Sequence, residues 1–292
     1  VSAGADRTRL LEGLVSACRA AGGVIMSSLG DASGRAMKSR HEVVTRADFG
    51  SERLLRERLR DLMPDASFIG EEEGGNPGFP CWIADPLDGT NNFAHGYPVF
   101  CVSVALVEET GPVLACVHDP TRGETFTSLR GSGAFLDGSP VRCSSAGSIG
   151  DSLLATGFPY SRTPEDLGFD LGPLLHFLGR AQGIRRGGSA ALDLCYVACG
   201  RLDGFWEQHL RPWDMAAGCL LVTEAGGSAE AYEGGPWTIA SGGVAAAAPG
   251  LAHELRRGID EGRRIVEWTR PENEGAPRKA PPAMKDPADP RA

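Results

Sequence analysis

The chain has 292 residues, 41% of them hydrophobic and 23% charged, with a formal net charge of −9 at pH 7. That length can bury a large core in one domain or two, and the composition is that of a globular chain rather than a disordered or fibrous one. Net acidity without a long basic run weighs against nucleic acid or an anionic membrane as the main partner, and no apolar run reaches the ~20 residues of a membrane span.

The N-terminus shows no basic region followed by an apolar stretch and a cleavage site, so a cytoplasmic location is expected. Leu10, Leu11, Leu14, Val15, Cys18, Ala21, Ile25 and Leu29 recur at helical spacing and predict an amphipathic helix over the first ~25 residues, closed by Gly30. A polar stretch, 31–40, leads to a second helix carrying Leu54, Leu55, Leu59 and Leu62, with Asp48 placed as its N-cap. Phe68-Ile69 ends a strand. Glu71, Glu72 and Glu73 follow it, then a short Gly- and Pro-rich segment, 74–80. Cys81 to Ala84 predicts a buried strand, which sets Asp85 at its carboxyl end and Asp88 in the turn beyond. Pro86 stiffens that turn and Gly89 lets it bend.

Two readings of the next segment stay open. Asp88-Gly89 is a strong hairpin signal with Val99 to Val107 as the partner strand, whereas a helical turn from Thr90 would offer unpaired N–H groups to a phosphate. An antiparallel meander follows, over 99–107, 113–117, 124–129 and 134–136. Beyond Ser144 the pattern adds helices: strand 153–156, helix 171–178, helix 190–199 opened by Gly187-Gly188-Ser189, and strand 204–207. Pro212-Trp213-Asp214 opens a helix with Asp214 as N-cap, and short strands at 228–231 and 238–240 and a helix over 251–259 finish the fold. Residues 271–292 lack apolar periodicity and read as a disordered tail to a 1–270 domain. The eight cysteines fall mostly in apolar runs without a Cys-x-x-Cys pair and read as small buried hydrophobes.

Four carboxylates, Glu71, Asp85, Asp88 and Asp214, thus stand at element ends. Hard oxygen donors of this kind suit magnesium, and packed together they need cations to neutralise them. Gly70-Glu71-Glu72, Asp85-Pro86-Leu87-Asp88-Gly89-Thr90 and Pro212-Trp213-Asp214, in that order, resemble the inositol monophosphatase family of metal-dependent, lithium-sensitive sugar phosphatases, over about Leu10 to Trp268. The resemblance implies an α+β fold, a layered α/β/α/β/α sandwich, and a homodimer.

It further implies two Mg2+ ions, one held by Glu71, Asp85 and the Leu87 carbonyl, the other by Asp85, Asp88 and Asp214, with a weaker third near Glu71 left open. Thr90 would orient the attacking water with Asp48 as proton acceptor, so for Asp48 capping and catalysis both stay open. Asp88, Gly89, Thr90, Gly188, Ser189, Ala190, Glu207 and Asp214 would bind the substrate, a small phosphorylated sugar or polyol, foremost myo-inositol monophosphate. Lys38 matches a basic residue of a mobile loop beside the metals, and Arg211 falls at the pocket rim or a subunit contact. Arg185 and Arg186 are expected as surface or interface charges, and a surface strand residue is the competing reading of Glu207. Histidinol phosphate, fructose 1,6-bisphosphate and 3′-phosphoadenosine 5′-phosphate remain alternative substrates. A non-catalytic metal-binding regulatory protein is the alternative from another class. The segment 74–80 is shorter than the family's, so a loop near the site is trimmed.

Overall fold

The computed structural model describes residues 3–30, 36–39, 42–76, 78–159 and 164–269. Residues 271–292, expected as a tail, lie outside the described residues. Seven helices and fourteen strands are described: α1 Ala3–Ser27, β1 Ala36–Ser39, β2 Glu42–Val44, α2 Arg46–Leu62, β3 Ser67–Gly70, β4 Cys81–Asp88, α3 Thr90–His95, β5 Cys101–Glu108, β6 Gly111–Asp119, β7 Glu124–Leu129, β8 Ala134–Leu136 and β9 Ser139–Val141 form the first half. The second half runs β10 Leu153–Thr156, α4 Pro164–Leu178, β11 Gly183–Arg185, α5 Ala190–Ala198, β12 Gly204–Gln208, α6 Pro212–Glu224, β13 Ser228–Ala231, β14 Gly243–Ala247 and α7 Ala252–Thr269.

β3 to β9 form a seven-stranded sheet in sequence order, antiparallel except for the β3–β4 pair, and a second sheet has the order β11-β10-β12-β14-β13. Strand β5 shows how the layers arise. Cys101, Ala105 and Val107 enter a core shared with α5, α6 and the second sheet, while Val102, Val104 and Leu106 enter a separate core under α1 and α2. Both faces are covered, so the strand reads as a continuous apolar run although its period is two. A third core packs Phe177 of α4 and Leu255 and Ile259 of α7 against Trp206 and Ala245 of the second sheet. The order is α1/α2, sheet, α5/α6, sheet, α4/α7, which is the expected sandwich.

Helix α1 corrects one expectation. Its Arg7–Ser27 stretch is long and apolar enough, by length and composition, to cross a membrane. Within this fold Leu14, Ala17, Cys18, Ala21 and Ile25 are fully or almost fully buried in the α1/α2 core, so its apolar stripe is already used.

Other differences have local causes. Strand 238–240 is a turn, and the central strand of that region is instead β14, Gly243–Ala247. Its Gly-Val-Ala-Ala-Ala sequence has almost no β-propensity, and pairing with β12 and β13 on both sides overrides that. Asp48 and Asp214 were both expected as N-caps. The caps are Thr45 and Arg211, and each aspartate sits at the third helical position, its carboxylate accepting the cap residue's backbone N–H.

Candidate active site

The site forms where β3, β4, α5, β12 and α6 meet. Strand β4 does not stop at Ala84 as expected: it continues to Asp88 across an irregularity between Asp85 and Asp88. Pro86 has no N–H to give the ladder, which is why the pairing breaks there. The break turns Asp85 inward, where it is 2% exposed and its Oδ1 accepts the Leu87 N–H at 2.9 Å. Gly89 (φ 92°) then turns the chain into α3. Both open readings therefore hold in part, since β4 and β5 are antiparallel neighbours and a six-residue helix joins them.

Thr90, first residue of α3, lies between two acceptors. Its Oγ1 is 3.0 Å from Asp48 Oδ1 and 2.9 Å from the Leu87 carbonyl. Asp48 is 1% exposed and its other oxygen accepts the Thr45 N–H at 2.8 Å and the Thr45 hydroxyl at 2.6 Å. Burial raises its pKa, and the bonds from Thr45 and Thr90 oppose that.

Asp88 ties the two halves of the molecule together. Its Oδ2 accepts the Ser189 hydroxyl at 2.7 Å and the Ala191 N–H at 2.8 Å, at the amino end of α5, where the helix dipole favours a negative charge. Ser189 is the N-cap of α5 by position, but its hydroxyl is turned to Asp88 rather than to its own helix. Asn92 holds the same loop by donating to the carbonyls of Val99 at 2.7 Å and Gly187 at 2.9 Å. Desolvation raises Asp88 to about 6, and raises Asp85 and Asp214 well above the usual carboxylate range, with mutual repulsion among Glu71, Asp85, Asp88 and Asp214 adding to it.

A cavity of about 520 Å³ opens over this cluster, lined by Glu71, Glu72, Asp88, Gly188, Ala190, Glu207 and Asp214, and also by Phe158, Arg186, His209, Arg211 and Trp213. That size suits one small organic ligand. Glu207 is therefore a pocket residue rather than a plain surface one. Burial pushes its pKa well above the usual carboxylate range, and Arg186 opposes that only in part.

Arg186 is exposed, as expected of a surface charge, but it also lines the pocket, with a terminal nitrogen 2.5 Å from where a Cβ on Gly188 would stand. The neighbouring Arg185 is exposed at the end of β11, as expected. The lining residues His209 and Phe158 and the buried Glu52 of α2 carry no motif that marks them in the sequence. Lys38 lies on β1, and its side chain is outside the described residues.

The donor set fits a hard divalent cation by its chemistry. Glu71, Asp88 and Asp214 line one cavity with Asp85 buried next to them, and burial, with repulsion inside the cluster, pushes the three aspartates toward protonation, a strain that cations relieve. Among the described residues no three acidic, histidine or cysteine side chains close around one point. Asp85, Asp88 and Asp214 each have an oxygen engaged by a local donor instead.

Comparison with known proteins decides the family. The family model described as "Inositol monophosphatase family" matches residues 6–261. The chain belongs to that family. It is 40% identical over 258 residues to the inositol-1-monophosphatase of Synechocystis sp., covering 87% of this chain and 90% of that protein. It is 42% identical over 238 residues to the Nus factor SuhB of Pseudomonas aeruginosa, covering 79% and 88%. The crystal structure of the extragenic suppressor protein suhB from Bartonella henselae superposes with a TM-score of 0.82 at 37% identity, covering 87% of this chain and 99% of that one. This phosphatase is thus a phosphoric monoester hydrolase of a family whose members are generally metal-dependent.

Proposed function

We propose that this phosphatase hydrolyses a small sugar or polyol monophosphate, foremost myo-inositol monophosphate, with Mg2+ as its cofactor. The observation that carries the reading is the Asp48–Thr90 pair set beside a cluster of four carboxylates, of which Glu71, Asp88 and Asp214 line one cavity and Asp85 is buried next to them. Glu71, Asp85, the Leu87 carbonyl, Asp88 and Asp214 would hold the cations. Bound there, divalent ions supply an acidified water and a clamp on the phosphate oxygens and the leaving alkoxide.

The remaining work falls to the chain. Thr90 donates its hydroxyl proton to Asp48 Oδ1, which leaves its lone pairs free to accept from the attacking water. Asp48 is the final proton acceptor. In this reading the backbone at Gly89 and Thr90 is the phosphate side, and Gly188 and Ala190, which line the cavity, are the sugar side, with Ser189 acting from behind through its hydrogen bond to Asp88. Glu207 takes the hydrogen bonds of the sugar hydroxyls; burial holds its pKa well above the ordinary value, and Arg186 offsets that only in part. No phosphoenzyme is needed.

The test is phosphate release from a panel of phosphomonoesters with and without Mg2+ and with added lithium. The expected result is Mg2+-dependent, lithium-inhibited release that is fastest with inositol monophosphate. Full activity in excess chelator would end the metal reading, and no release from any ester would favour a binding protein.

A further inference from the structure

Helix α2 carries three polar residues, Asp48, Ser51 and Glu52, inside the protein; Ser51 and Glu52 have no exposed surface. Their spacing of i, i+3 and i+4 stacks them on one face of the helix. Each reaches a different segment of the site. Asp48 takes Thr90, the Ser51 hydroxyl donates to the Pro86 carbonyl at 2.8 Å, and the Glu52 carboxylate accepts the backbone N–H groups of Glu72 at 2.8 Å and Glu73 at 3.0 Å.

A carboxylate taken fully out of water needs paired partners. Arg56, one turn along α2, donates to Glu52 at 2.8 Å and continues to the Gly74 carbonyl at 3.0 Å, which also accepts the Gly70 N–H at 3.1 Å. Gly70 leaves room for this arrangement, because a Cβ there would stand 2.4 Å from the Glu52 carboxyl carbon. The turn Glu71–Gly74 is thus wrapped around a buried charge. Glu71 has its own N–H on the Ala84 carbonyl at 3.3 Å and its two successors fixed by Glu52, so its backbone has little freedom. On the other side of the cluster, Ser51 pins the break between Asp85 and Asp88 at Pro86.

We propose that Ser51 and Glu52 are positioning residues: given the divalent-cation reading above, α2 holds Glu71 and the Asp85–Asp88 segment from behind and thereby sets their affinity for the ion. Groups that orient metal-binding side chains without touching the ion act in this way. The competing account is that Glu52 only anchors the fold. That account predicts a loss of melting temperature with no change in ion affinity.

The experiment is calorimetric titration of the full chain with Mg2+, with the metal-free melting temperature measured alongside, for wild type, Glu52→Gln and Ser51→Ala. Glutamine keeps the size but turns an amide nitrogen toward a backbone N–H. Its Kd for Mg2+ is expected to weaken about 10–100-fold, with Ser51→Ala weaker by a smaller factor. Folded variants whose Kd is indistinguishable from wild type overturn the proposal. Should Glu52→Gln not fold, Ser51→Ala, which removes a single hydrogen bond, decides by the same criterion. A wild-type chain that binds no divalent ion would overturn the metal reading and this inference together, whereas equal binding by wild type and variants overturns only the latter.

Discussion

Asp48 serves two partners with one carboxylate. One oxygen takes both donors of Thr45 at the start of α2, and the other faces Thr90. Asparagine offers one acceptor where three donors converge, so Asp48→Asn should lose about 1 kcal/mol of stability through the cap and far more in rate. Turnover at saturating Mg2+ should fall about 10²–10⁴-fold, the usual cost of losing a positioned general base. Thr45→Ala is the control. It disturbs the same cap, at about 0.5–2 kcal/mol, but leaves the Asp48 oxygen that faces Thr90 in place, so it should keep most of the rate. Equal rate losses in the two variants would reduce Asp48 to a capping residue. Glu207 makes a parallel case for selectivity: Glu207→Gln should raise KM for inositol monophosphate more than for a small aryl phosphate without sugar hydroxyls. A uniform effect would remove Glu207 from the sugar side of the pocket.

At the level of elements, the parallel pair β10–β12 decides where Glu207 points. Thr156 sits opposite Trp206, which brings Gly157, just past the end of β10, beside the next residue of β12. A Cβ on Gly157 would lie 2.0 Å from the Glu207 carboxyl carbon, so Gly157→Ala must displace that side chain. It should therefore copy the selectivity defect of Glu207→Gln, with both KM values measured on the same two substrates; an unchanged ratio would show that Glu207 does not act from this position. Such a contact cannot be read from one sequence, because it joins residues fifty positions apart through strand register. What could be read were the elements with strong periodicity, α1, α2 and β5 to β8, and the carboxylate motifs at their ends. The caps were misplaced by three residues because an acid at the third helical position looks, in sequence, like an acid at the cap. Glu52 stayed hidden for a similar reason. A glutamate in a charged helix reads as solvated until the turn after β3 is seen to fold over it. Arg186 is a surface residue as the sequence suggests, but its place at the pocket depends on the loop before α5, which Asp88 and Asn92 hold.

Across the whole molecule, the acid cluster opposes folding when no cation is present. Burial raises Asp85, Asp88 and Asp214 in the folded chain, Asp88 to about 6, against about 3.9 for an unfolded aspartate. The folded state then binds protons more tightly than the unfolded one, so stability is greatest below the unfolded value and is lost as pH rises through the window between the two. His118 and His176 act in the opposite sense, since burial lowers both and stability falls where they must charge, below about 6.5. Asp88→Asn separates these contributions. The asparagine oxygen can still accept from Ser189 and Ala191, so the link to α5 survives while the charge is lost. The metal-free variant should melt higher than metal-free wild type at pH 7, by roughly 1–3 kcal/mol or a few degrees, and the gap should close toward pH 4. Added Mg2+ should reverse the order, stabilising wild type but not the variant, because binding to the folded state alone raises stability by mass action. Turnover of the variant should be abolished. Melting curves from pH 4 to 8 with chelator and with Mg2+ test all of this at once: a variant that melts below wild type at pH 7 without metal would mean that the Asp88 charge stabilises the fold, and that the cluster is not held in tension for an ion.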